Sequence, residues 1–167
     1  DYYASRGLGD VYKRQELVVV IAIIGILAAI LVPTMMNYVK KSKLKTANSN
    51  AKLVFTTVNN EAADMLVEGT SVTNTASQSG AVEVKSLQNT NTDAKSKLAN
   101  AVYNALKDNG DGAGWCLYMV NDDGSVNFAQ WCDVESASGS TGVLGQYPDP
   151  CKDADKANKA FSSTKIS

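Results

Sequence analysis

The chain has 167 residues with 16 basic and 17 acidic side chains, a formal net charge of −1 and no histidine. A balance so near neutral gives no overall pull on nucleic acid or an acidic membrane surface, and lacking histidine removes the commonest general base and transition-metal ligand. Three cysteines in a short chain that also carries an apolar segment hint at an oxidising exterior.

From Leu17 to Val32 the chain reads LVVVIAIIGILAAILV, sixteen residues with no polar side chain, headed by Glu16 and followed by Pro33. The run is slightly short of the roughly 20 residues that cross a bilayer. It is apolar all round, which suits lipid or the interior of an assembly. A carboxylate at the edge of such a segment costs a few kcal/mol unless something compensates it, which makes Glu16 a functional candidate. The alternative is an interfacial carboxylate that snorkels to water. The string ELVVVIAIIGILAAILVP, Glu16 to Pro33, resembles the N-terminal segment of mature type IV pilins and the related pseudopilins, in which a glutamate and a proline stand the same seventeen residues apart.

What precedes Glu16 departs from that family, whose basic leader ends in glycine and is followed by a stretch close to Phe-Thr-Leu-Ile. Here Val11 stands at the glycine position, and Tyr12, Lys13, Arg14 and Gln15 follow. The string DVYKRQ, Asp10 to Gln15, resembles a translated sequencing adapter, so residues 1–15 read as a non-native scar outside the fold expectation. The alternative is a cytoplasmic extension with Lys13 and Arg14 as positive-inside anchors. A Phe-Thr-Leu-Ile-like start would bring the apolar run to about 20 residues.

Beyond Pro33, the positions Met36, Val39, Leu44, Ala47, Ala51, Val54, Val58, Ala62 and Met65 are spaced three to five apart, the stripe of an amphipathic helix. Helix is therefore expected from about Glu16 to Glu68, with Gly69 as its stop and Pro33 and Gly25 as weak points. Thr70 to Asn91 is rich in Ser, Thr, Asn, Gln and Gly and reads as a surface connection, with one short β-like stretch at Ala81 to Leu87. A second helix is predicted over 93–107, N-capped by Thr92 and stopped by Gly110. A β-hairpin follows over 115–134: Trp115–Val120 and Val126–Val134 flank Asn121-Asp122-Asp123-Gly124-Ser125. With Asp123–Ser125 as the loop, Cys116 faces Cys132; with Asp122–Ser125, Cys116 faces Trp131. The Gly/Ser-rich tail adds one short strand at Gly142 to Gln146. The expected fold class is α+β: a long N-terminal helix spine packed on a small antiparallel sheet, as in the pilin-like ladle.

Several local patterns have ordinary explanations. Asp108-Asn109-Gly110-Asp111-Gly112 has alternating acids but no bidentate glutamate at calcium-loop distance, so it reads as a helix C-cap and turn. Asn121-Asp122-Asp123-Gly124 reads the same way, and no metal site is expected. Lys40, Lys41, Lys43, Lys45 and Lys52 occur with no acid between Glu16 and Glu61. They could contact nucleic-acid phosphates, but a solvated flank or lipid headgroups explain them more cheaply. Trp115, Tyr118, Phe128 and Trp131 read as hairpin packing. No nucleophile–base pair or phosphate loop is present, so neither a catalytic residue nor a cofactor is expected.

The resemblance implies a division into an assembly half of the helix at 16–33 and an exported head at 34–167. It implies a subunit of a surface filament, polymerising with other pilin subunits after residence in membrane lipid, and served by a prepilin peptidase and an assembly platform. Glu16, Gly25 and Pro33 are then the assembly residues, with Glu16 neutralising the N-terminal amine of a neighbouring subunit. The positive-inside rule would put the residues after the lysine cluster in the cytoplasm; the cysteines and the resemblance favour export. A pseudopilin of a secretion or DNA-uptake machine would use the same helix, and a membrane-anchored binding module that never polymerises is a third reading. Many pilins staple the C-terminal segment to the sheet, and Cys132 with Cys151 has that layout. Closing that loop would stabilise by about 3 kcal/mol. The rival pairing is Cys116 with Cys132.

Overall fold

The computed structural model describes residues 2–109, 114–135, 142–152 and 160–166. The chain divides into two units, Asp1–Val39 and Lys40–Ser167. Helix α1 runs Tyr2–Val67, so it takes in positions 2–15 as well as the expected span. Met36 and Val39, predicted to join the buried stripe, are instead 60% and 44% exposed in the first unit.

In the second unit the stripe behaves as its spacing predicts. Leu44, Ala47, Ala51, Val54, Val58, Ala62 and Met65 are all buried. The end of α1 is a Schellman cap. Gly69 takes φ +83°, its N–H bonds the Leu66 carbonyl at 3.1 Å, and the Thr70 N–H bonds the Met65 carbonyl at 2.8 Å. Glycine enters this left-handed conformation without a Cβ penalty and so satisfies carbonyls the helix end would otherwise leave open.

After a 3₁₀ turn at Asn74–Ala76 come β1 (Val82–Glu83), a second 3₁₀ turn (Val84–Leu87) and α2 (Ala94–Leu106). The β-like stretch at 81–87 is thus mostly 3₁₀. The N-cap of α2 is Asp93, one residue beyond the predicted Thr92, because its carboxylate accepts the Ser96 N–H at 3.1 Å. Hydrogen bonding from the Ser96 side chain, and then from its N–H, holds the Asp93 carboxyl below the usual carboxylate range. A folded-state pKa that is depressed contributes stability above the unfolded value and loses it as pH falls through the folded one. Asp93→Ala is therefore expected to lower the melting temperature at neutral pH but not at strongly acid pH, whereas Asp93→Ser keeps most of the cap. Thermal melts at the two pH values check this. Gly110, the predicted stop, lies outside the described residues.

The hairpin forms as β2 (Trp115–Val120) and β3 (Val126–Cys132), and β4 (Leu144–Tyr147) adds a fourth strand. The sheet order is β1-β2-β3-β4, antiparallel throughout. Together with α1 this is the expected α+β fold, a long N-terminal helix packed on a small antiparallel sheet. The turn closes around Asp122–Gly124, three residues as in the predicted Asp123–Ser125 loop but one position earlier. The Asn121 N–H bonds the Ser125 carbonyl at 2.8 Å and the Gly124 N–H bonds the Asn121 carbonyl at 3.1 Å, with Gly124 at φ +84°. A bulge between Met119 and Val120 then shifts the ladder by one, so that Cys116 faces Trp131 and Trp115 faces Cys132.

That register sorts the side chains onto two faces, since neighbours along a strand point oppositely. Cys116, Tyr118, Ala129, Trp131, Gly145 and Tyr147 take the face toward α1, where Phe55 and Tyr147 meet edge to face at 5.0 Å. Gly145 lies so close to α1 that a Cβ there would overlap the Ala47 carbonyl and the Asn48 N–H. The other face holds Leu117, Phe128, Gln130, Cys132, Leu144 and Gln146, all buried.

Two buried glutamines hold the C-terminal segment over this second face. Gln130 Nε2 donates to Gln146 Oε1 at 3.0 Å. Gln146 Nε2 donates to the carbonyls of Asp149 (3.0 Å) and Ile166 (3.1 Å), while its Oε1 also accepts the Ile166 N–H at 2.8 Å. Gln130 Oε1 accepts the Ser162 N–H at 3.1 Å. The Gln146 amide thus has two donated and two accepted bonds. Gln146→Leu removes the side-chain partner of the part-buried Ile166 N–H and of the carbonyls of Asp149 and Ile166, a loss of about 0.5–1.5 kcal/mol for each bond. The expected result is early proteolytic loss of residues after 160 with the rest of the fold retained, checked by limited proteolysis and mass spectrometry. Tail cleavage no faster than in the parent chain would refute the clasp.

Candidate assembly site

In the unit Asp1–Val39, α1 carries the candidate site. Every large apolar side chain from Leu17 to Val32 is at least half exposed. None of the best membrane-crossing window is buried. By length and composition this helix could span a membrane. Glu16 is exposed at the head of the run, next to a shallow apolar hollow formed with Tyr12, Gln15, Val19 and Val20. Gly25 has open space where a side chain would stand. Pro33 lies inside the helix, where it has no N–H to give the Ala29 carbonyl. The hydroxyl of Thr34, the next residue, donates to the carbonyls of Leu31 (2.9 Å) and Ile30 (3.3 Å), covering polar main chain beside that break.

Among the lysines after the apolar run, Lys40, Lys41, Lys43 and Lys45 are exposed around the buried Leu44. Lys52 lies 5.6 Å from the Tyr147 ring centroid, a cation–π contact that gives this residue a structural role. The turn acids are likewise used internally. Asp123 Oδ1 accepts from the Ser125 N–H (2.9 Å) and Oγ (2.6 Å), and these bonds lower its pKa. The Asp108–Gly112 pattern falls largely outside the described residues. Among the described residues no group of three Cys, Asp or Glu side chains is placed to hold a metal ion.

Neither predicted disulfide is made, since Cys116 and Cys132 are both free thiols. Cys116 and Cys132 point to opposite faces of the sheet, because the bulge puts Cys116 across from Trp131. Cys132 Sγ lies 3.6 Å from Asp133 Oδ1, in the space a side chain at Gly142 would fill, while the Cys151 carbonyl accepts from Asn48 Nδ2 at 2.9 Å. The tail is tied down by glutamine amides instead of a sulfur bridge. Burial pushes the Cys116 thiol up to about 12 and the Cys132 thiol up to about 11, so neither forms the thiolate a nucleophile needs near neutral pH.

The residues that sequence reasoning missed are polar ones inside the sheet unit. Asn48 Oδ1 accepts the Gln146 N–H of the edge strand β4 at 3.0 Å. On the opposite side of the sheet, Gln78 and Ser77 continue the ladder past the two-residue β1. Gln78 Oε1 accepts the Tyr118 N–H at 3.1 Å, and Ser77 Oγ accepts the Val120 N–H at 2.8 Å. An amide or hydroxyl in a Ser/Thr/Asn/Gln-rich connection carries no local mark of such a role. No family model, curated protein or solved structure matches the chain.

Proposed function

We propose that this chain is a structural subunit of a type IV pilus-like surface filament and polymerises through the apolar part of α1. The observation that carries this reading is the uncharged stretch Leu17–Val32, exposed all round and headed by Glu16. Exposed apolar area of that extent needs lipid or other subunits to cover it. A carboxylate at its head suits an electrostatic pairing that sets axial register. Membrane lipid holds the subunit before assembly, and a prepilin peptidase and assembly platform process and stack it. With Cys116 and Cys132 both thiols, export of the sheet unit rests on the family resemblance.

The test is electron microscopy of filaments sheared from cells expressing the chain and labelled with an antibody to residues of the sheet unit. Labelled filaments support the proposal. Recovery only as a membrane-bound monomer overturns it in favour of an anchored binding module. Loss of secretion or of transformation on deletion, with twitching intact, would point to a pseudopilin.

A further inference from the structure

We infer that Lys40, Lys41, Lys43 and Lys45 bind the headgroups of anionic phospholipids as a belt around α1, a reading that rests on the membrane residence of the apolar run and names its lipid. All four lysines are exposed. Among the described residues the ion pairs are Lys97–Glu68 and Lys165–Asp149, and none of the four takes part. No acid occurs between Glu16 and Glu61 to neutralise them.

Their place in the chain points to a membrane surface. Leu17 to Met36 is twenty residues with Thr34 the only polar side chain, and the Thr34 hydroxyl is turned back onto the Ile30 and Leu31 carbonyls. That length crosses a hydrocarbon core of about 30 Å. Tyr38 follows and is 72% exposed; tyrosine favours the boundary between hydrocarbon and water. The lysines come four to nine residues after Met36, a rise of about 6–14 Å for helix. A headgroup layer is about 5–8 Å thick, and lysine stems bend to keep their ammonium groups within it. At about 100° per residue the four lie near 0°, 100°, 300° and 140° around the helix axis. A nucleic-acid duplex meets one side of a helix, whereas headgroups surround it, so the spread favours lipid. Each lysine near an anionic surface favours it about fivefold, a preference that neutral headgroups do not supply.

The test purifies the detergent-solubilised full chain from an equal mixture of phosphatidylcholine and phosphatidylglycerol and counts the co-purified lipids by mass spectrometry. Phosphatidylglycerol is expected to be enriched about fivefold among them. Replacing the four lysines together (Lys40→Gln, Lys41→Gln, Lys43→Gln and Lys45→Gln) should abolish the enrichment, and arginine at the same four positions should keep it. Lys85→Gln with Lys95→Gln, at exposed positions of the sheet unit, should change nothing. Equal recovery of the two lipids, or enrichment that survives the four glutamines, would overturn the proposal. So would release of phosphatidylglycerol by inorganic phosphate beyond that caused by chloride at equal ionic strength, which would mark a site for free phosphate. Retardation of a DNA duplex by the parent chain, lost in the glutamine variant and without lipid enrichment, would assign the belt to nucleic acid instead. A chain that stays in solution without detergent and carries no lipid would overturn the membrane residence as well.

Discussion

Glu16→Ala is expected to leave membrane insertion intact while reducing filament yield at least about tenfold. The substitution removes a charge from the edge of the apolar run, so insertion becomes easier, not harder. Assembly is affected in the opposite sense. If Glu16 neutralises the terminal amine of its neighbour, alanine leaves that amine unmatched in lipid, at a cost of about 2.5–3.5 kcal/mol for a group at the membrane centre. Each 1.4 kcal/mol is a factor of about ten in an equilibrium constant. The measurement uses a chain processed to start at position 12 with a Phe-Thr-Leu-Ile end, comparing sheared filament with the membrane fraction. Undiminished filament in the alanine variant would sink the register role of Glu16, even if the chain polymerises.

Gly145→Ala is expected to be the most damaging conservative change in the sheet unit. A methyl group there would collide with the main chain of α1 at Ala47 and Asn48. Main chain cannot swing aside as a long side chain can, so β4 or the helix must move. Overpacking of this kind costs about 1–3 kcal/mol, and the rigid neighbour puts Gly145 at the upper end. Displacing β4 also strains the Asn48–Gln146 bond and the glutamine clasp that starts from the same strand. A fall in melting temperature of roughly 10 °C is the expected reading. Gly80→Ala, where the added methyl meets open space, provides the control and should change little. Equal melting temperatures for the two variants would mean that the close approach of β4 to α1 has no energetic weight.

Much of this architecture is written locally in the chain. The buried positions from Leu44 to Met65 recur at helical spacing, Gly69 can adopt the left-handed conformation that ends α1, and the Asn-Asp-Asp-Gly turn joins two β-rich segments. Each of these depends on neighbours within a few residues, so periodicity and turn chemistry reveal it. The uncharged run after Glu16 belongs to the same class, because its composition alone marks it as apolar all round. The remaining features depend on groups far apart in sequence. Cys116 faces Trp131 because a bulge at Val120 absorbs one residue, and no propensity distinguishes that register from the neighbouring one. Asn48 reaches Gln146 and Cys151 only after α1 and β4 have packed, and Gly145 is required only because they pack so closely. Gln130, Gln146 and Gln78 look like surface residues in the sequence, yet they are buried and bonded to main chain brought in by the fold. Met36 and Val39 continue the apolar stripe but stay exposed, since a stripe specifies which side of a helix is apolar and not how much of it the same chain covers.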